Sequence, residues 1–547
     1  MMKADPASKP PDGGQSSART AWALGAVATL AVVLTLGDPG ITIDEPLDVR
    51  PGRTYVATLR ARGLRFFDRA TVDAVFRDNA EHPPLGRWLL GVASTLGEPF
   101  EVLLRGGPDP VGLYVVAGRL APALAFGVLV GLVAGSAGRR YGRGAGVVAG
   151  LALASCPRVF AHAHLGALDT FISLFWTLAL LAAARGIEGR RPGLMLAVAG
   201  LAWGLALLTK IHAWFLPPLV LAHALVHLKP GRAVAAWIGW MGAGLATFFA
   251  GWPWLWFEPV GRLAAYLGTG VERVSIRVLY FGQVYADRDV PWHYPWVYFA
   301  ATVPVGLLAL GLWGLIRGSR ERRTDPFPIL LAGSIATFLV LFSTKVPVYD
   351  GERLILVVFP ALAILAGRGF ADLHGRLGRR GRLALGALVV AQGSGVVTMH
   401  PFGLSYYNLL VGGLAGAERL GLELTYWGDA VDGPLLDRLA IEAHAGQSAA
   451  LAPTLAPDQG KIATTRRLAR IPVVLADQDQ AGRADWLVVS RRTAYWSPEV
   501  RDRLARGPVV MTRSRQGVWL SALVAPPKIR IPLASPPESS IITFRTN

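Results

Sequence analysis

VGLYVVAGRLAPALAFGVLVGLVAGSAGRRYGRGAGVVAGLALASCPRVFA (111–161) reads as two apolar blocks joined by a short basic turn. The first block, 111–137, is long enough to cross the roughly 30 Å of hydrocarbon in a bilayer as a helix. GRRYGRG (138–144) then places three arginines where such a hairpin would meet water. The second block, 145–161, runs back. Outward from this hairpin the pattern repeats, with blocks near 20–37, 169–185, 193–209, 211–228, 233–251, 295–316, 327–343, 354–367 and 384–399. A polytopic α-helical membrane protein of about 11 transmembrane helices is expected.

Composition agrees. The 547 residues are 52% hydrophobic and 17% charged, whereas a soluble domain carries about a quarter charged residues. The net charge of +18 does not point to nucleic acid, because the Lys and Arg residues gather in short segments between blocks. There they set orientation. The single cysteine, Cys156, excludes an intramolecular disulfide or a cysteine metal cluster.

With the N-terminus inside, the inside loops become GRRYGRG (138–144), RGIEGRRPG (185–193), LKPGR (228–232), RGSRERRTDP (317–326) and GRGFADLHGRLGRRGRL (367–383). All five are basic, as an inside assignment requires. Residues 1–19 are polar and rich in Pro, Gly and Ser, and are expected to be a disordered cytoplasmic tail. The block after them is followed by DPGITIDEP rather than a small-residue cleavage site, and reads as a retained anchor. The transmembrane region is expected over 20–399, with a large first outside loop at 38–110. Within that loop, TYVATLRARGLRFFDRATVDAVF suits an amphipathic helix in the interface, and PPLGRWLLGVASTLG a re-entrant or surface-lying one. Trp252, Trp254, Trp256, Trp292 and Trp296 read as an interfacial belt. From residue 400 to 547 the texture changes. Strand-like runs ARIPVVLA, DWLVVS and GPVVMTR, with VRDRLARG as a helix between two of them, predict a small α/β domain outside.

Charged residues gather at helix mouths on the outer face. Asp44-Glu45 follows the first block directly; Glu81-His82-Pro-Pro-Leu-Gly-Arg87 enters the next apolar helix; Arg158, His162, His164 and Asp169 surround the turn before the fourth span; Lys345, Tyr349, Asp350, Glu352 and Arg353 head a late one. A carboxylate at such a mouth is costly unless it faces a polar cavity. Acids beside bases there suit a site that holds an anionic lipid phosphate and activates a hydroxyl. Read alone, Lys210 is a snorkelling anchor, Arg119 a buried ion-pair or phosphate group, and His223 and His227 structural residues near the inside.

The order of an acidic pair after the first span, HPPLG-R, and an Asp opening the fourth span resembles the GT-C superfamily of membrane glycosyltransferases. The likeness is to the protein O-mannosyltransferase and aminoarabinose transferase branch, over about residues 20–370. His82, where some relatives carry Lys, leans toward the mannosyltransferase form. SYYNLLVGG and TYWGD in the tail are similar to bacterial members, which implies the cytoplasmic (inner) membrane. The resemblance implies transfer of a sugar, with inversion, from a polyprenyl-phosphate donor to a hydroxyl on a protein, lipid or glycan. It implies Asp44, Glu45 and Asp169 as catalytic acids and Arg353 as a donor-phosphate group. Arg87, Lys345 and Arg158 are further phosphate candidates, and Glu81, His82 and Tyr349 further site residues. Glu81, His82, His162 and His164 are the residues that would hold a divalent metal, should one be used. Two readings compete. A transporter or flippase would show repeated halves or charges near mid-membrane, and a polysaccharide polymerase or ligase would centre on a long late loop.

Overall fold

The computed structural model describes residues 13–77, 82–105, 113–189, 192–269, 274–454, 475–476 and 483–526. Among them, six helices are long and apolar enough to cross a membrane: Ser17–Leu34, Val115–Tyr141, Asp169–Glu188, Pro230–Gly251, Arg353–Arg376 and Arg379–Met399. A seventh candidate is bent by 113° between Tyr294–Thr302 and Val305–Arg320, and four shorter apolar helices complete the bundle: Arg143–Ala154, Met195–Leu207, Ile211–His227 and Phe327–Leu341. Each apolar block of the sequence thus corresponds to a helix or a bent pair. The helix Gly13–Leu34 starts before its apolar stretch, so residues 13–19 are helical rather than disordered. Its Val27, Leu30 and Leu34 are exposed, as side chains facing lipid would be.

The first loop is ordered. Asp44–Arg62 is a helix, Gly63–Phe67 a 3-10 turn and Arg69–Val75 a second, short helix. The break falls at Gly63, whose φ of +57° is one that residues with a Cβ seldom adopt. The proline pair then starts the helix Leu85–Arg105, which crosses Asp44–Arg62 at two glycines. A Cβ built on Gly52 would lie 2.1 Å from the carbonyl oxygen of Arg87, and one on Gly91 2.1 Å from Gly52. Only glycine permits that approach, and it sets Arg87 against Asp48.

In the tail, strands β3 (Ala449–Ala452), β4 (Leu475–Ala476), β5 (Trp486–Ser490), β6 (Val509–Arg515) and β7 (Val518–Val524) form one sheet in the order β4-β3-β5-β7-β6; β1 (Arg277–Tyr280) and β2 (Gln283–Ala286) pair as a separate hairpin. β3 runs parallel to β4 and β5, and β7 antiparallel to β5 and β6. Alternate residues face opposite sides. Ala449, Leu451, Trp486 and Val488 pack under Leu435 and Leu439 of the helix Gly433–Glu442. Ala450, Ala452, Leu487 and Val489 pack against Val500 of the helix Pro498–Arg506.

This α/β unit closes over the first loop. The amide of Gly40 donates to the carbonyl of Asp429 at 2.8 Å and that of Ile43 to Trp427 at 3.2 Å. Both bonds lie just ahead of Asp44.

Candidate active site

Four segments converge at one end of the bundle, and Arg353 joins them. It opens a 3-10 helix, Arg353–Val358, ahead of a membrane-length span. Its Nη2 donates to Asp44 Oδ2, its Nη1 to Asp350 Oδ2 at 3.0 Å, and its Nε reaches Asp169 Oδ2 at 3.4 Å. The guanidinium lies 3.9 Å from the ring centroid of Trp427 and 6.0 Å from that of Tyr349. A guanidinium carries five N–H groups, so these three contacts leave one on each Nη for a further acceptor. Lys210 Nζ lies 2.6 Å from Asp169 Oδ1, and Arg492 Nη2 2.9 Å from Asp350 Oδ1. Three carboxylates thus interleave with three cations.

Local chain geometry aims these groups. Asp169 and Asp44 both occupy the first turn of a helix, where the dipole favours a carboxylate. Asp350 sits at φ +57° with Gly351 at +63°, and Asp is among the few non-glycine residues that tolerate that region. The tyrosine hydroxyl of Tyr294 accepts from the amide of Gly351 at 2.8 Å and pins the turn.

The carboxylates differ in access. Asp44 keeps 28% of its side chain exposed, against 3% for Asp169 and 4% for Asp350. Glu45, expected as a second catalytic acid, is fully buried. Its two oxygens meet Arg119 Nε and Nη2 at 2.7 and 2.8 Å, the amide of Thr42 at 2.7 Å and the amide of Gly166 at 2.7 Å. Arg119 also donates to the carbonyls of Leu36, Pro39 and Gly40. Glu45 therefore anchors the segment that presents its neighbour and does not reach solvent. In Glu45→Gln an amide NH₂ would face N–H donors whichever way it turned. Because breaking a buried pair costs about 3–5 kcal/mol, the variant is expected to lower the denaturation midpoint clearly while its folded fraction keeps most of its turnover.

The other candidates divide. Arg87 is buried against Asp48 at 3.0 Å, a positioning pair behind the site rather than a phosphate contact. Burial pushes the Asp48 carboxyl up to about 6, against the opposing pull of Arg87. The His82 imidazole is held well below its usual range by burial first and then by Arg87, Lys210 and Arg353. Arg158 is engaged by Glu352, by the carbonyl of Tyr406 at 2.8 Å and by the Tyr407 ring at 4.6 Å. These contacts brace it, while its buried Nη2 has no hydrogen-bond partner among the described residues. Lys345 is 83% exposed and pairs with Asp289 at 3.5 Å; it does not join the cluster. Glu81 lies outside the described residues. Among the described residues His82, His162 and His164 do not fall in a three-ligand metal group; His162 meets the Tyr426 hydroxyl at 3.2 Å and His164 the Thr35 hydroxyl at 2.8 Å. Lys210, expected to snorkel, is buried on Asp169 instead. The Trp-rich segment supplies no ring to Arg353; Trp427, from the tail, does.

Residues 111–257 match the family model described as dolichyl-phosphate-mannose-protein mannosyltransferase; that segment holds Arg119, Arg158, Asp169 and Lys210. The fold is similar to that of ArnT from Cupriavidus metallidurans in the apo state, at TM-score 0.51 and 16% identity over 93% of this chain and 98% of that one. It is also similar to the same protein bound to undecaprenyl phosphate, at TM-score 0.50 and 17% identity over 92% and 97%. No curated protein matched by sequence. The chain therefore has a helical membrane fold similar to that of ArnT, and residues 111–257 carry its sequence similarity to the mannosyltransferase family model.

Proposed function

We propose that the chain transfers a sugar from a polyprenyl-phosphate donor to a hydroxyl acceptor at the outer face of a bacterial cytoplasmic membrane, with inversion. The observation that carries this reading is the cluster itself: one accessible carboxylate, Asp44, held by Arg353 beside a buried Asp169–Lys210 pair. Asp44 takes the proton of the acceptor hydroxyl as that oxygen bonds to the anomeric carbon. The bond from that carbon to the phosphate oxygen breaks, and the polyprenyl phosphate departs with the electron pair. Arg353, with its two remaining N–H groups, and Lys210 offset the charge growing on the leaving phosphate. Asp350 and Arg492 keep Arg353 aligned. Trp427, itself buried, closes one side of the guanidinium. The similar ArnT, whose structure is known bound to undecaprenyl phosphate, supports a lipid-phosphate donor.

Orientation supports the same reading. The basic loops lie at the ends of the helices remote from the cluster; Arg139 and Arg140 close Leu120–Tyr141 and Arg317 and Arg320 close Val305–Arg320. By the positive-inside bias the cluster then faces outward, where a donor has to arrive on a lipid. Reporter fusions at residue 325 and after residue 420 test this. A cytoplasmic signal from the first and an external signal from the second are expected. A cytoplasmic signal from the later fusion would put the cluster within reach of nucleotide sugars and remove the reason for a lipid carrier.

A further inference from the structure

The helix that Asp169 begins ends at Glu188, about 28 Å away at 1.5 Å per residue and so at the opposite end of the bundle. Two histidines meet it there. His223 and His227 are four apart on the helix Leu216–His227, a spacing that puts both on one face. Glu188 Oε1 lies 3.0 Å from His223 Nε2 and 4.0 Å from His227 Nε2. The imidazole centroids are 4.3 Å apart, and one ligand atom from each residue lies within 4.8 Å of the others.

Hydrogen bonding decides what the gap between them suits. His227 Nδ1 sits 2.9 Å from the carbonyl oxygen of His223. A carbonyl only accepts, so Nδ1 carries the proton, and Nε2 of a neutral His227 holds a lone pair. That lone pair faces Glu188 Oε1, a second acceptor. Arg140 donates to the other carboxylate oxygen, Oε2, which orients the carboxylate and leaves Oε1 turned toward the histidines. A ligating histidine fixed through its far nitrogen, with a carboxylate oriented by its own partner, is the outer support that metal sites use.

We propose that Glu188, His223 and His227 bind a divalent transition metal of the Zn²⁺ class at the end of the bundle remote from the active site. Tetrahedral zinc with bonds of about 2.0–2.1 Å places its ligand atoms about 3.4 Å apart, between the two separations seen here. Two imidazoles and one carboxylate suit Zn²⁺, Co²⁺ or Ni²⁺ better than Mg²⁺ or Ca²⁺. The side chains of Glu188 and His227 are 23% and 20% exposed, which leaves a fourth position open to water. Arg139, Arg140 and Arg185 line the adjoining cavity of ≈ 330 Å³; they oppose a weakly held hydrated cation and select for one that bonds to nitrogen. Bound there, the metal ties the helix carrying Asp169 to the neighbouring helix Leu216–His227.

The test uses the full chain, purified in detergent and stripped with a chelator, then titrated separately with Zn²⁺ and with Co²⁺. The parent is expected to bind one equivalent more than the double variant His223→Asn/His227→Gln, and to develop visible cobalt bands that the variant lacks. His227→Gln alone, at the more exposed ligand, is expected to weaken binding at least tenfold and keeps the test open if the double variant does not fold. Equal stoichiometry and affinity in the parent and His227→Gln would overturn the site. So would a parent that binds no metal.

Discussion

Asp44→Asn is expected to cut turnover by about 10²–10⁴-fold, the usual loss on removing a positioned general base. The change keeps size and shape, and an asparagine oxygen can still accept from Arg353 Nη2. What goes is the ability to take a proton. Neither neighbour can substitute: Glu45 is saturated by Arg119 and two amides, and Asp169 is buried under Lys210. The loss should therefore fall on turnover, with donor binding and the denaturation midpoint close to the parent. Single-turnover rates measured at saturating donor separate these. Near-parent turnover would make Asp44 a clamp for Arg353 and return the base to an unidentified group.

Arg353→Ala is expected to act on both chemistry and fold. Its removal withdraws one donor from each of Asp44, Asp169 and Asp350, and truncating a buried ion pair costs about 3–5 kcal/mol. Lys210 and Arg492 still serve Asp169 and Asp350, which places the cost at the lower end. Turnover should fall further than stability, because the same group offsets charge on the leaving phosphate. Arg353→Lys restores a charge but not a planar fork, and one ammonium does not span three carboxylates from Arg353's position; a partial rescue of the midpoint with little rescue of rate is expected. Donor affinity and single-turnover rate in both variants decide it. If both bind and transfer like the parent, Arg353 is a structural ion pair and the phosphate lies elsewhere.

The bundle was legible because membrane helices announce themselves. Each needs a long apolar block, and each block of the sequence has its helix or bent pair. The mouths were legible for the same reason: Asp44, Asp169 and Arg353 stand where charge meets an apolar run. What local reading could not supply was partnership. Lys210 beside a tight turn looks like an anchor, and its partner Asp169 lies 41 residues earlier. Asp44 and Glu45 are adjacent and chemically alike, but successive residues on a helix point about 100° apart, and only the packing of Arg119 shows which one turns inward. Trp427 and Arg492 come from the tail, whose sheet order depends on pairings between distant strands. TYWGD carries a likeness in sequence, but nothing local to it shows that its tryptophan lies on Arg353. Lys345 failed for the reverse reason: near Arg353 in sequence, it points to open surface.

In the proposed function this cluster transfers sugar from a lipid phosphate. The most direct measurement incubates the purified chain with a panel of labelled polyprenyl-phosphate sugars and a membrane extract as acceptor, and follows release of polyprenyl phosphate. The expected result is release from at least one donor by the parent, with movement of the label to an acceptor, and loss of both in Asp44→Asn. Release at the parent rate by Asp44→Asn, or no release by the folded parent from any donor in the panel, would contradict it.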